Sequence, residues 1–120
     1  MQTGPFTRKL RLTNPADYKQ VFNDPDKCKS VDCVFTILAR KNGLSYARMG
    51  LAIAAKHLKH AVERNRVKRQ IRESFRLNQI QLTGLDIVIL SRIDTVKSNN
   101  NNLRKALDKH WLKIIEKCKN

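Results

Sequence analysis

The chain has 120 residues, 25 of them lysine or arginine against 10 aspartate or glutamate, for a formal charge of +15. That length buries one sizeable core, so one domain is expected, with no need of disulfides or a structural metal. The charge excess repels itself and calls for a polyanionic partner, nucleic acid ahead of an anionic membrane; no apolar run approaches the ~18 residues of a bilayer span, which excludes a transmembrane helix.

The first nine residues carry no apolar segment behind their charges, so no secretory signal is expected and the cytoplasm is the default compartment. Cys28, Cys33 and Cys118 fit that setting: they are odd in number and their spacing matches no disulfide framework. Asn14, Pro15 and Asp17 read as a helix start. Asn14 can accept from first-turn amides, Pro15 suits the first helical position, and Asp17 complements the positive end of the helix dipole. Tyr18, Val21 and Phe22 follow at helical spacing, and Pro25 ends the helix.

From Val31 the period becomes two. Val31, Cys33, Phe35, Ile37 and Ala39 share one face of a predicted strand, with Val34, Thr36 and Leu38 on the other, so both faces are expected to be covered. Asn42-Gly43 marks a turn. A second strand is predicted from Arg48 to Ala54. Met49, Leu51 and Ile53 form its bulky face; Gly50, Ala52 and Ala54 form a small-residue face that lets another element or a ligand approach the backbone. A helix over His60 to Asn78 follows, then a break at Thr83-Gly84, a strand from Asp86 to Arg92, and an asparagine-rich loop at residues 98–102. The last helix carries Leu103, Ala106, Leu107, Trp111, Ile114, Ile115 and Cys118 on one stripe, where Trp111 reads as core.

The helix after the second strand holds the strongest signal. With about 100° per residue and Arg64 at zero, Val67, Ile71 and Phe75 fall at ~300°, ~340° and ~20°, a narrow apolar stripe. Lys68, Arg72, Asn65, Arg76 and Arg69 fall between ~40° and ~140°, on one flank of that stripe, while Arg66 projects to ~200°. Residues 56–76 carry eight Lys or Arg and two Glu, so helical ion pairs leave most cations unneutralised. Arginine predominates, and its planar fork grips phosphate in two places; Asn65 adds a group that donates and accepts.

The run Arg64, Asn65, Arg66, Val67, Lys68, Arg69, Gln70, Ile71, Arg72, Glu73, Ser74, Phe75 and Arg76 closely resembles the signature helix of the bacterial ribonuclease P protein subunit. Arg48 to Lys56 upstream, Arg11-Leu12, Asp17-Tyr18 with Val21-Phe22, and Asp86 to Ile89 resemble the same family, in order across nearly the whole chain. The resemblance implies a single domain over residues 1–120: an α+β fold, a two-layer α/β sandwich in the order α-β-β-α-β-α with a left-handed βαβ crossover. Sequence rules alone favour a right-handed one.

The resemblance also implies a partner, a large catalytic RNA. Together they remove the 5′ leader of precursor tRNA by hydrolysing one phosphodiester, the chemistry carried by the RNA with bound Mg²⁺ and the Mg²⁺ requirement lowered by the protein. No membrane and no obligate protein partner are implied. Carried over to this chain, Arg64, Asn65, Arg66, Lys68, Arg69, Arg72 and Arg76 bind RNA, while Tyr18, Phe22, Phe35, Thr36 and Lys56 line a cleft for the single-stranded leader. Two departures stand out. Family members often carry two adjacent lysines where this chain has Ala55-Lys56, and some carry tyrosine where this chain has Thr36.

No cluster of carboxylates suited to a catalytic Mg²⁺ site is legible in the sequence, so no catalytic side chain is assigned. A zinc site from Cys28, Cys33, His57 and His60 would need a cysteine spacing at the tolerated limit, and no metal is expected there. The alternative readings are a structural RNA-binding protein, such as a ribosomal one, and a stand-alone protein nuclease.

Overall fold

The computed structural model describes residues 10–12, 14–54, 56 and 58–119. Helix α1 (Pro15–Asn23) starts as its residues dictate: Asn14 is extended, its Oδ1 accepts from Asp17 N at 3.0 Å, and Pro15 opens the first turn. Four strands follow, β1 (Cys28–Val31), β2 (Phe35–Lys41), β3 (Arg48–Ala52) and β4 (Leu85–Ser91), with α2 (Ala61–Asn78) between β3 and β4 and α3 (Asn100–Lys119) last. The sheet order is β1-β2-β4-β3; β1–β2 and β2–β4 are antiparallel, and β3 and β4 are parallel neighbours joined through α2.

The α+β class is as expected, and the structure adds one strand. The apolar alternation over Val31 to Ala39 is a tight hairpin between β1 and β2 rather than one strand. Asp32 makes the turn: its Oδ1 accepts from Val34 N and Phe35 N, each at 2.8 Å. An aspartate bonding its own downstream amides outcompetes the ladder, which alternation of apolar residues cannot reveal. The turn at Asn42-Gly43 forms as predicted, with Gly43 at φ 71° and Asn42 Oδ1 accepting from Leu44 N at 2.7 Å.

The main core lies between the sheet and the helices α2 and α3. Phe35, Ile37 and Ala39 of β2, Ile87 and Ile89 of β4 and Met49 of β3 meet Val67, Ile71, Phe75, Leu107 and Trp111 there. Val67, Ile71 and Phe75 are wholly buried, each stabilising the fold by about 1.5–3 kcal/mol. Trp111 is core, and its Nε1 donates to buried Ser74 Oγ at 2.8 Å, joining α3 to α2. The opposite sheet face is covered in part by α1, whose Val21 packs with Leu12, Leu38 and Val88, so α1 adds a short third layer to the sandwich.

The cysteines require a correction. Cys28 on β1 and Cys118 on α3 form a disulfide across 90 residues, with Cα atoms 5.9 Å apart, while Cys33 is free and exposed. The spacing is uninformative because the partners meet only where the end of α3 returns beside the outer strand.

Candidate nucleic-acid interface

Strand β3 is a sheet edge, and two segments close on it. The Leu10–Leu12 stretch pairs with it through an Arg11–Met49 bridge, Leu12 N donating to Met49 O at 3.0 Å. Further along, the Tyr18 hydroxyl accepts from Leu51 N at 3.1 Å and reaches Leu51 O at 3.4 Å. Beside these contacts opens a cleft of ≈ 280 Å³, bordered by Arg11, Tyr18, Leu51 and Ile53, with Lys68 and Arg72 reaching in from α2.

A charge pair on the sheet lies beside helix α1. Asp86 is wholly buried on β4 and accepts from Arg48 Nε at 2.8 Å, Arg48 Nη2 at 2.6 Å and Asn42 Nδ2 at 2.9 Å. The hydrogen bond to Asp86 raises the Arg48 pKa further above its ordinary range. Arg48 Nη1 also lies 4.0 Å from Asp17, the residue before Tyr18, so the ion-pair chain runs from the sheet centre to the helix that carries the cleft's tyrosine. The sequence reading assigned no role to Arg48 or Asp86; pairing of β3 with β4 brings them opposite each other.

The cations of α2 fall into two groups. Arg64, Arg66 and Arg76 are engaged within the protein. Arg64 donates to the carbonyls of Leu58 and Lys59 at 3.0 and 2.9 Å, fixing the approach to the helix. Arg66, which the helical wheel sent away from the others, bonds Ser98 O at 3.1 Å, Asn100 Oδ1 at 2.9 Å and Glu63 at 3.0 Å, tying α2 to the start of α3. Arg76 forks onto Glu73 and holds that carboxyl below the usual carboxylate range. Among the described residues no ion pair engages Lys68, Arg69 or Arg72. Arg69, Arg72 and Asn65 are exposed, and Lys68 is half-buried at the cleft wall.

The residues expected in a leader cleft are not all brought together. Tyr18 is half-buried at the cleft, and Phe22 is 38 % exposed on α1. Thr36 is half-buried on the α1 side of the sheet, in register with Leu90 and Val31. Phe35 is a correction: it is wholly buried on the opposite face, edge-on to His110 at 6.4 Å between ring centroids. Neighbouring residues of a strand face opposite sides, so Phe35 and Thr36 cannot line one surface. Lys56 is exposed just beyond β3.

His57 lies outside the described residues, and Cys28, the other end of the zinc reading, is bonded to Cys118. Among the described residues no group of three or more His, Cys, Asp or Glu is placed to hold a metal ion, and no helix is long and apolar enough to cross a membrane.

A mixed sheet backing an arginine-rich helix, with cations that form no ion pair among the described residues beside a tyrosine-bordered cleft, defines an α+β protein with an edge suited to a polyanion. The family model described as "Ribonuclease P" matches residues 6–115, and the chain belongs to that family. The ribonuclease P protein component of Methylococcus capsulatus is 44 % identical over 113 residues, covering 94 % of this chain and 87 % of its own. That of Nitrosococcus oceani is 41 % identical over 118 residues and 98 % of both chains. Among solved structures, the RNase P protein of Thermotoga maritima superposes with a TM-score of 0.71 at 29 % identity, covering 87 % of this chain and 94 % of that one. The Staphylococcus aureus RNase P protein shares the fold, with a TM-score of 0.77 at 24 % identity over 88 % of this chain and 94 % of that one.

Proposed function

We propose that the cleft at the β3 edge holds the single-stranded 5′ leader of precursor tRNA while a partner RNA carries out the cleavage. As a ribonuclease P family protein, the chain serves tRNA 5′ processing as an RNA-binding subunit. One observation carries the reading of the cleft: Lys68 and Arg72, which form no ion pair among the described residues, face Tyr18 across an edge strand whose bulky residues give an apolar floor. Unpaired cations take the backbone phosphates, and an aromatic ring suits an unpaired base of any identity. Phe22, Thr36 and Lys56 extend the path across the sheet face. Asn65 and Arg69, exposed on the outer side of α2, face the RNA subunit, while Arg66 and Arg76 are held by the protein's own groups.

The chemistry is assigned to the RNA, with Mg²⁺ held there. In this reading the protein supplies no metal ligands of its own. The protein's part is to bind and orient, raising the share of precursor held in the reactive geometry.

Reconstitution with a ribonuclease P RNA and a precursor tRNA tests the proposal. The chain is expected to lower the Mg²⁺ needed for cleavage, and Lys68→Gln with Arg72→Gln to weaken precursor binding more than binding of leaderless tRNA. An unchanged Mg²⁺ requirement would return the chain to a purely structural RNA-binding role. Cleavage by the protein alone would point to a protein nuclease.

A further inference from the structure

The sheet has a second basic edge, as far from the cleft as the fold allows. Strand β1 lies at the other end of the order β1-β2-β4-β3, ~14 Å from β3 at ~4.8 Å per strand. Beside it runs α3, whose Lys105, Lys109, Lys113 and Lys117 recur every fourth residue and are all exposed. Each step rises about 6 Å and turns about 40°, so the four form one slow stripe. Three contacts fix that side of α3 to β1: Lys117 Nζ donates to Lys29 O at 2.6 Å, His110 Nδ1 shares a 2.6 Å hydrogen bond with Ser30 Oγ, and Cys118 is bonded to Cys28. The Lys29 side chain itself lies between Cys28 and Ser30 on β1 and so points to the other face of the sheet, leaving the stripe to α3.

The nearby acids offset only part of this charge. Asp24 is taken by Arg40, and Asp32 lies 3.0 Å from His110 Nε2. Asp26 shares a surface hollow with Lys117. Asp108 and Glu116 are also exposed on α3, Glu116 within the lysine stripe three residues from Lys113, but neither forms an ion pair among the described residues; nor do Lys105, Lys109 or Lys113.

We propose that this lysine flank, Lys105, Lys109, Lys113 and Lys117, binds the phosphate backbone of a helical RNA segment, so that the protein is clasped between two RNA elements at opposite sheet edges. The inference rests on the ribonuclease P reading and names a second contact with the partner RNA. The side-chain chemistry separates the two edges. The cleft has arginine and a tyrosine ring, whereas the nearest aromatics on this side, Trp111 and Phe35, are buried and leave nothing for an unpaired base to stack on. Lysine is a point charge that follows a phosphate chain without reading sequence. A helix pinned to a strand by a disulfide is a fixed support, which suits a duplex better than a flexible single strand.

Lys109→Gln with Lys113→Gln tests this, measured against ribonuclease P RNA and against a single-stranded leader oligonucleotide. The double variant is expected to keep its thermal midpoint and its leader affinity. Its log–log salt dependence for the RNA should become shallower by about 1.5, at ~0.7–0.9 per lost phosphate contact, and Lys109→Arg with Lys113→Arg should restore it. An unchanged slope beside normal wild-type binding overturns this inference alone; no binding of the RNA by the wild-type chain overturns the functional reading and this one with it. An unchanged slope with loss of binding to phosphatidylserine vesicles would give the flank to a membrane surface instead.

Discussion

Tyr18 stands where a side chain at position 50 would be: a Cβ on Gly50 would lie 2.5 Å from Tyr18 Oη and 2.6 Å from Cζ. The missing side chain lets the phenol reach the backbone of Leu51 and close part of the outer edge of β3. An open edge invites pairing with another chain, and here the N-terminal stretch and one hydroxyl share the task of covering it.

Gly50→Ala is therefore expected to expel the Tyr18 ring. The loss of its two contacts with Leu51 should cost about 1–2 kcal/mol, read by thermal or urea denaturation. Leader affinity should fall about tenfold, within the ~1–3 kcal/mol of one stacked base. Tyr18→Phe, which keeps the ring, should lose stability without the same loss of leader binding.

Asp86→Ala should be among the most damaging substitutions. It strands the Arg48 guanidinium and removes the acceptor of Asn42. Breaking one side of a buried pair costs about 3–5 kcal/mol, and because Arg48 keeps 21 % of its side chain exposed, the low end is expected. A urea titration checks this, and leader binding should weaken in step, since Arg48 also steadies Asp17 on α1.

Arg66→Ala and Arg72→Ala should separate structural from binding cations on one helix. Arg66→Ala removes the contacts to Ser98, Asn100 and Glu63 and should lower stability by about 1–2 kcal/mol. Arg72→Ala should leave the thermal midpoint unchanged and make the salt dependence of RNA binding shallower by about 0.7–0.9.

Acid should loosen the β1–β2 hairpin. Burial pushes the Asp32 carboxyl up, but the amides of Phe35 and Val34 and the nearby His110 outweigh it and hold the pKa below the ordinary 3.8. The carboxylate's contribution is thus fully present above that value and is lost as pH falls through the depressed one. Asp32→Asn should flatten this part of the acid limb in thermal midpoints measured from pH 5 down to pH 2, while lowering stability at neutral pH.

Reduction should reveal the worth of the Cys28–Cys118 link. A cross-link closing a 90-residue separation restricts the unfolded chain by up to about 4–5 kcal/mol. Adding a thiol reductant is expected to lower the thermal midpoint of the wild type and to leave Cys28→Ser unmoved.

Local pattern decided a great deal of this protein by itself. The capped start of α1, the turn at Asn42-Gly43 and the buried stripe of Val67, Ile71 and Phe75 depend on residues close in sequence, whose chemistry acts over a turn or two. Net charge and the arginine-rich flank of α2 likewise show in composition and helical period. Tertiary structure decided which groups meet across the sheet. It decided which face of β2 packs beneath α3, burying Phe35 there and leaving Thr36 on the α1 side, and one aspartate turned an apparent strand into a hairpin. It paired Arg48 with Asp86 and Cys28 with Cys118 across separations no periodicity records. It also spent Arg64, Arg66 and Arg76 on the protein's own carbonyls and carboxylates, leaving Lys68, Arg69 and Arg72 without an ion pair among the described residues. A cation's availability depends on what packs beside it, and sequence distance does not measure that.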